Sequence, residues 1–241
     1  MGMVLRLLPQ DQPKHTQVDM FRHVPNKVSL PELECETKDT GRVYITPEGN
    51  IYPSITTVLG AKPKDGLDEW RKRVGSAEAD KVLRQAGVRG TIIHQMAEDY
   101  LNNKPDWAQG AMPVNMFTFN SIKPILDRSV DNIWAQEVPL YSDRFKIAGR
   151  VDCIAEFDGV LSVIDFKTSR KEKKREWITD YFRQAAFYAA AFYERTGVAI
   201  KQSAIIMSVD DGNPLVFRQG TFEYLDGLVE ARNYYKKVRG I

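Results

Sequence analysis

The sequence predicts a mixed α/β domain, and three observations carry that prediction. Helical periodicity runs from Leu67 to Lys104, three strand-like stretches follow between Asn132 and Thr168, and a long apolar helix then leads into two further strands and a closing amphipathic helix. A chain of 241 residues with 43% hydrophobic content is long enough for one sizeable core. The 34 basic residues nearly balance the 32 acidic ones, so any nucleic-acid footprint has to be local. Cys35 and Cys153 lie far apart and are the only cysteines, which excludes a disulfide framework, a four-cysteine zinc site and an iron–sulfur cluster held by four cysteines. The apolar run before Pro9 is too short for a secretory signal or a membrane span, so a soluble, intracellular protein is expected.

Residues 1–241 read as a single domain with three regions. In the first, 1–60, the stretch up to about residue 40 is aperiodic and is expected to be irregular or extended. Gly49-Asn50 lies between "RVYI" and "IYP" and predicts a hairpin, after which Ser54 can cap a short helix, "ITTVL". In 61–131, Gly75 and the pair Gly87 and Gly90 divide a helical pattern into three segments, and another helix covers Met116 to Asp131. In 132–241, "NIWAQEVPLYS", "KIAGRVDCIAEF" and "VLSVIDFKT" alternate as strands. The helix "EWITDYFRQAAFYAAAFYERTG" is apolar on most sides, as burial against a sheet requires, and Gly197 stops it. "QSAIIMSVD" and "PLVFRQG" are strands about the turn "DDGN", and "FEYLDGLVEARNYYKKV" is the last helix.

Asp158-Gly159 is a strong two-residue hairpin signal, because both central turn positions need positive φ. Counting outward from that turn sets Asp152 across from Asp165 and Arg150 across from Lys167. The reverse face then gathers Val151, Cys153, Ala155 and Phe157 against Phe166, Ile164, Ser162 and Val160, a coherent core layer. Directly opposed carboxylates repel and call for a cation. Lys167 can offset one charge, but a hard divalent ion, Mg²⁺ or Mn²⁺, suits paired carboxylates better and can activate a water beside a phosphoryl group. Asp152, Asp165 and Lys167 are therefore the candidate catalytic residues, with both aspartates as metal ligands. An ion pair between Asp152 and Lys167 at a solvated sheet edge is the other reading of these strands, and a bulge would break the count.

"GRVD" (Gly149 to Asp152) and "DFK" (Asp165 to Lys167) resemble the PD-(D/E)xK nuclease superfamily. His94 in "RGTIIH" and Gln184 to Tyr188 in "QAAFY" extend the resemblance to its RecB-like branch, whose order is histidine, G-x-x-D, D-x-K and Q-x-x-x-Y. Within that branch, "YPSITTVL", "LDEWRKRVG" and "IDFKTSRK" look like the exonucleases of mitochondrial genome maintenance and their phage-encoded relatives. The resemblance covers about Arg42 to Glu194. It implies a restriction-endonuclease-like core with an N-terminal helical elaboration, a metal-dependent deoxyribonuclease favouring single-stranded DNA or free ends, and His94 as a further metal ligand. It also implies that Gln184 and Tyr188, one helical turn apart, hold the substrate or the lysine. If the chain is phage-encoded, the host cytoplasm is its expected location.

Other residues carry two readings each. Glu137 in "WAQEVPL" either adds a carboxylate to the site or faces solvent. Glu98, at i+4 from His94, either orients the imidazole or forms a surface pair. Arg89 either contacts a phosphate or solvates a helix end. Arg170, Lys171, Lys173, Lys174 and Arg175 are expected to bind the phosphate backbone, because they leave directly from Lys167. Trp70 to Gly75, Tyr44 and Tyr52 are candidate channel walls on which bases stack. An endonuclease of the same fold, or a DNA-binding protein with a vestigial site, are the competing functions.

Overall fold

The computed structural model describes residues 21–24, 30–63, 65–210 and 212–240. The apolar run before Pro9, much of the N-terminal extended stretch and Asp211 of the "DDGN" turn lie outside these residues.

A small antiparallel sheet comes first: β1 (Glu34–Lys38), β2 (Gly41–Ile45) and β3 (Ile51–Pro53). β1 falls where the sequence suggests irregular chain. All five of its residues are exposed, so backbone pairing with β2 holds it and no apolar alternation announces it. The predicted hairpin forms, with Gly49 at φ 82°. Ser54 caps α1 (Ile55–Leu59), its Oγ accepting from Thr57 N–H at 3.0 Å.

α2 (Asp65–Val74) and α3 (Ser76–Leu101) are separated by Gly75, whose φ of 86° no helix accommodates. Gly87 and Gly90, expected to divide the helix again, do not interrupt it, and α3 runs 26 residues. Neither takes positive φ, and a glycine inside a helix costs only about 1 kcal/mol, which long flanking turns can offset. α4 (Pro113–Ser129) starts on a proline whose fixed φ suits the first turn, three residues before the expected Met116.

The main sheet contains β4 (Val130–Ser142), β5 (Ile147–Phe157), β6 (Val160–Ser169), β7 (Gln202–Val209) and β8 (Leu215–Gly220), in that spatial order. Only β6 and β7 are parallel, and a 3-10 turn, Arg175–Ile178, followed by α5 (Thr179–Thr196), crosses between them. Gly197, at φ 73°, ends α5 as expected, and α6 (Leu225–Arg239) closes the chain. One cluster of buried apolar side chains packs α1, α5 and α6 on one sheet face, and a second packs α3 and α4 on the other. Among the described residues no helix is long and apolar enough to cross a membrane.

The β5–β6 turn is as predicted, with Asp158 at φ 51° and Gly159 at φ 78°, and the register runs from Phe157↔Val160 to Cys153↔Ile164. There it stops. Asp152 and Asp165, and likewise Arg150 and Lys167, are not ladder partners, which corrects the expected pairing. Beyond Cys153, β5 stays with β4 and β6 stays with β7, so the sheet forks. β4 is irregular beside the fork: its register shifts between Asp131 and Ala135, and Glu137 takes φ 46° and drops out of the ladder. Such defects bend a strand away from its neighbour. The predicted layer of Cys153, Ala155, Phe157, Ile164 and Phe166 forms, but Val151 packs into the opposite cluster.

Candidate active site

The fork decides where the polar groups go. With β5 and β6 no longer paired beyond Cys153 and Ile164, the Phe166 N–H donates to Asp152 Oδ2 at 2.8 Å, so a side-chain carboxylate replaces the missing ladder bond. His94 reaches the same oxygen from α3, its Nδ1 3.4 Å away, with its ring edge-on to Phe166 at 6.2 Å. Glu137, across from Asp152 in the β4–β5 pairing, joins them, and His94, Glu137 and Asp152 offer ligand atoms all within 4.8 Å of one another. Asp165 is only 1% exposed, and its Oδ2 faces Lys167 Nζ at 2.5 Å. Its Oδ1 accepts no hydrogen bond among the described residues.

Of the three expected metal ligands, His94 and Asp152 therefore stand together, Glu137 completes their cluster, and Asp165 is drawn toward the lysine. One imidazole, two clustered carboxylates and a buried carboxylate oxygen without a donor fit a divalent cation.

The charges are tuned to match. Burial, with the nearby Asp152, pushes the Glu137 carboxyl up to about 7. Burial likewise raises Asp165 to about 6, against the opposing pull of Lys167. Asp152 resists its own burial: His94, Lys167 and the Phe166 amide hold it below the ordinary carboxylate value. Burial works against protonation of His94 and Lys167, yet the neighbouring aspartates raise both. Two buried carboxyls that resist ionisation beside an anionic Asp152 are groups that an added cation would favour in their charged form.

Tyr188 OH donates to Arg150 O at 2.7 Å and Gln184 Nε2 contacts the Tyr188 hydroxyl at 3.4 Å. This pair holds the β5 backbone rather than the lysine. The aromatic beside Lys167 is Tyr181, whose ring centre lies 5.1 Å from Nζ. Sequence reasoning missed it, although Tyr181, Gln184 and Tyr188 follow i, i+3, i+7 spacing along one face of α5. Gly149 explains the glycine of "GRVD": a Cβ there would lie 3.0 Å from Ile55 Cγ2 and from Tyr188 Cε1 and OH. Gly149→Ala is expected to displace Tyr188, destabilise the fold by about 1–3 kcal/mol and reduce activity, as denaturant titration and rate measurements would read.

The other expected residues divide. Glu98 lines the cleft, but its carboxylate accepts from Gln95 Nε2 at 3.1 Å, and the charged partner of the imidazole is Asp152. Arg89 forms an ion pair with Asp210, tying α3 to the end of β7. Arg170, Lys171, Lys173 and Lys174 are exposed, whereas Arg175 lies over the Phe182 ring at 5.2 Å. Tyr44 and Tyr52 are buried with Leu33, Tyr141 and Ala148, so they offer no open ring faces for stacking, which corrects that expectation. A cleft of about 630 Å³ opens above Asp152 and Lys167, walled by Arg42 and Thr56 on one side and Thr91 and Gln95 on the other.

Curated relatives include mitochondrial genome maintenance exonuclease 1 of Xenopus tropicalis, 27% identical over 218 residues, with 79% of this chain and 59% of the relative covered. The mouse protein of that name is 25% identical over 176 residues, covering 68% and 52% of the two chains. The human one is 26% identical over 181 residues, covering 68% and 51%. The chain thus spans about half the length of the curated relatives it matches. The sequence model of the PD-(D/E)XK nuclease superfamily matches residues 115–233, a span that includes Glu137, Asp152, Asp165 and Lys167 and leaves His94 outside. Both arms of the forked sheet lie inside that match, so the region that carries the candidate site, residues 115–233, is similar to the PD-(D/E)XK nuclease superfamily.

Proposed function

We propose that this nuclease is a Mg²⁺- or Mn²⁺-dependent exonuclease that hydrolyses phosphodiester bonds of single-stranded DNA from an end. The observation that carries the reading is the cluster of His94, Glu137 and Asp152 beside the buried Asp165–Lys167 pair, at the floor of a cleft. These donors would hold the ion, and a divalent ion in such a site supplies a water of lowered pKa and neutralises charge on a phosphoryl oxygen. Lys167 places a cation where negative charge grows on the transferring phosphate, and Tyr181 shields that cation on one side. Asp152, fixed by the Phe166 amide, and Tyr188, fixed to the Arg150 carbonyl, keep this geometry ready before substrate arrives. The preference for ends and single strands is supported by the likeness to proteins named as exonucleases and by the exposed basic segment next to the site.

The test compares end-labelled linear and circular single-stranded DNA, with duplex and RNA of equal length, in Mg²⁺, Mn²⁺ and EDTA. Loss of the linear single strand only, dependent on metal and abolished by Asp165→Asn, is the expected result. Cutting of the circle would move the activity to an endonuclease, and tight DNA binding without cleavage to a binding protein.

A further inference from the structure

Trp177 is the one exposed tryptophan among the four in the chain, with 65% of its surface open. Large aromatic side chains are usually removed from water, so an open indole on a well-anchored turn needs a reason. The anchoring is explicit. Its own N–H donates to Lys174 O at 3.0 Å, the next residue, Ile178, is 2% exposed within the core, and Arg175 lies over Phe182. The backbone is held while the ring stands out, with the Lys174 ammonium 5.6 Å from its centre.

The segment around it carries more exposed cations than anions, with Glu172 and Glu176 as its exposed acids. Arg170, Lys171, Lys173 and Lys174 are exposed in the segment that joins β6 to this turn. One helical turn further on, Tyr181 faces Lys167. Lys167 and Tyr181 line the cleft, and Trp177 with the basic segment lies on the chain between Lys167 and Tyr181, outside the cleft lining.

We infer that Trp177 is a stacking platform for an unpaired nucleobase of the substrate strand, one step outside the cleavage site, with the phosphates on either side held by the Arg170–Lys174 segment. The inference rests on the nuclease reading above and adds to it a named contact with a base. Stacking requires an unstacked base, so this contact selects single-stranded over duplex substrate, and it tolerates any sequence because every base has a π-face. It also places the aromatic wall at Trp177 and not at the buried Tyr44 and Tyr52.

The test is done in EDTA, so that strands stay intact, with the full chain, a fluorescent oligothymidylate and an abasic deoxyribose-phosphate oligomer of equal length. Oligothymidylate is expected to quench the tryptophan emission, and the abasic oligomer to bind about tenfold more weakly without quenching. Trp177→Ala should bind oligothymidylate about tenfold more weakly, lose the quench and no longer distinguish the two strands, while Trp177→Phe stays within about threefold of the original. An unchanged thermal midpoint in both variants shows that the fold is intact. If the unaltered chain binds oligothymidylate and Trp177→Ala binds it equally, the stacking platform is overturned and the nuclease reading stands. If the unaltered chain neither binds nor cleaves any strand, both are overturned.

Discussion

Lys167→Ala is expected to lower the rate of phosphodiester cleavage by about two to three orders of magnitude, the range found when a preorganised charge or hydrogen-bond donor is removed from a developing oxyanion. The loss has two sources that the pH profile separates. The first is the missing cation on the cleft floor, which lowers the rate at every pH. The second acts through Asp165. Its carboxyl already sits at about 6 because it is buried, and Lys167, 2.5 Å away, is the charge that opposes that burial. Without the lysine the carboxyl rises further, so it stays protonated at neutral pH and donates no anionic oxygen. The ascending limb of the rate profile should therefore move to higher pH in the variant, and more metal should be needed for half-maximal rate. An arginine is not expected to rescue, because its planar fork does not fill the place of a compact ammonium. A Lys167→Ala enzyme with an unshifted profile and near-normal rate would make the lysine a mere counter-ion.

Glu137→Gln is expected to have opposite effects on stability and on metal binding. With its carboxyl at about 7 when folded, against 4.5 ordinarily, the folded chain keeps a proton that the unfolded chain releases between those values. Stability is then lost as pH rises through that window, and above about 7 the ionised, half-buried carboxylate is a net burden of about 1–3 kcal/mol. Glutamine carries no such burden. In EDTA the thermal midpoints of the two proteins should coincide near pH 4.5 and diverge by about 3–8 °C in favour of Glu137→Gln at pH 8. Divalent ion should close or reverse the gap, since the carboxylate then gains a cation, and metal affinity of the variant should fall by about 10- to 100-fold. Parallel melting curves at all pH values would place Glu137 outside the site.

The fold was legible where local chemistry agrees with burial. Asp158-Gly159 set the β5–β6 register, Ser54 and Gly197 marked helix ends, and the apolar face of Cys153, Ala155, Ile164 and Phe166 identified a core layer. β1 was not legible, because strand pairing between exposed polar residues leaves no periodic trace. Gly87 and Gly90 misled because a glycine inside a long helix looks the same on paper as a glycine that ends one. At the site, the spacing of Asp152, Asp165 and Lys167 placed all three at one point, but counting assumed that the ladder continues. β5 parts from β6 after Cys153, and neither that point nor the positive φ of Glu137 on the neighbouring β4 carries a sequence signal. The β4–β5 pairing, which sets Glu137 across from Asp152, brings that carboxylate in beside His94 in the donor cluster, where Asp165 was expected. Arg89 looked free to meet a phosphate because Asp210, its partner, lies across the fold and far along the chain.

The fork has a further consequence for the order in which the molecule matures. The β5–β6 turn is local and can close within microseconds, whereas β7 reaches β6 only after the whole of α5 has crossed over, and α3 brings in His94 from well upstream. Asp152 and Lys167 lie just beyond the end of that hairpin's ladder, whereas Tyr188, Tyr181 and His94 come from two helices docked on opposite faces of the sheet. A chain caught halfway would carry the acidic and basic groups without their rigid frame. The arrangement of His94, Asp152, Lys167 and Tyr188 therefore depends on contacts distant in sequence, and the candidate site is complete only when both helices are docked.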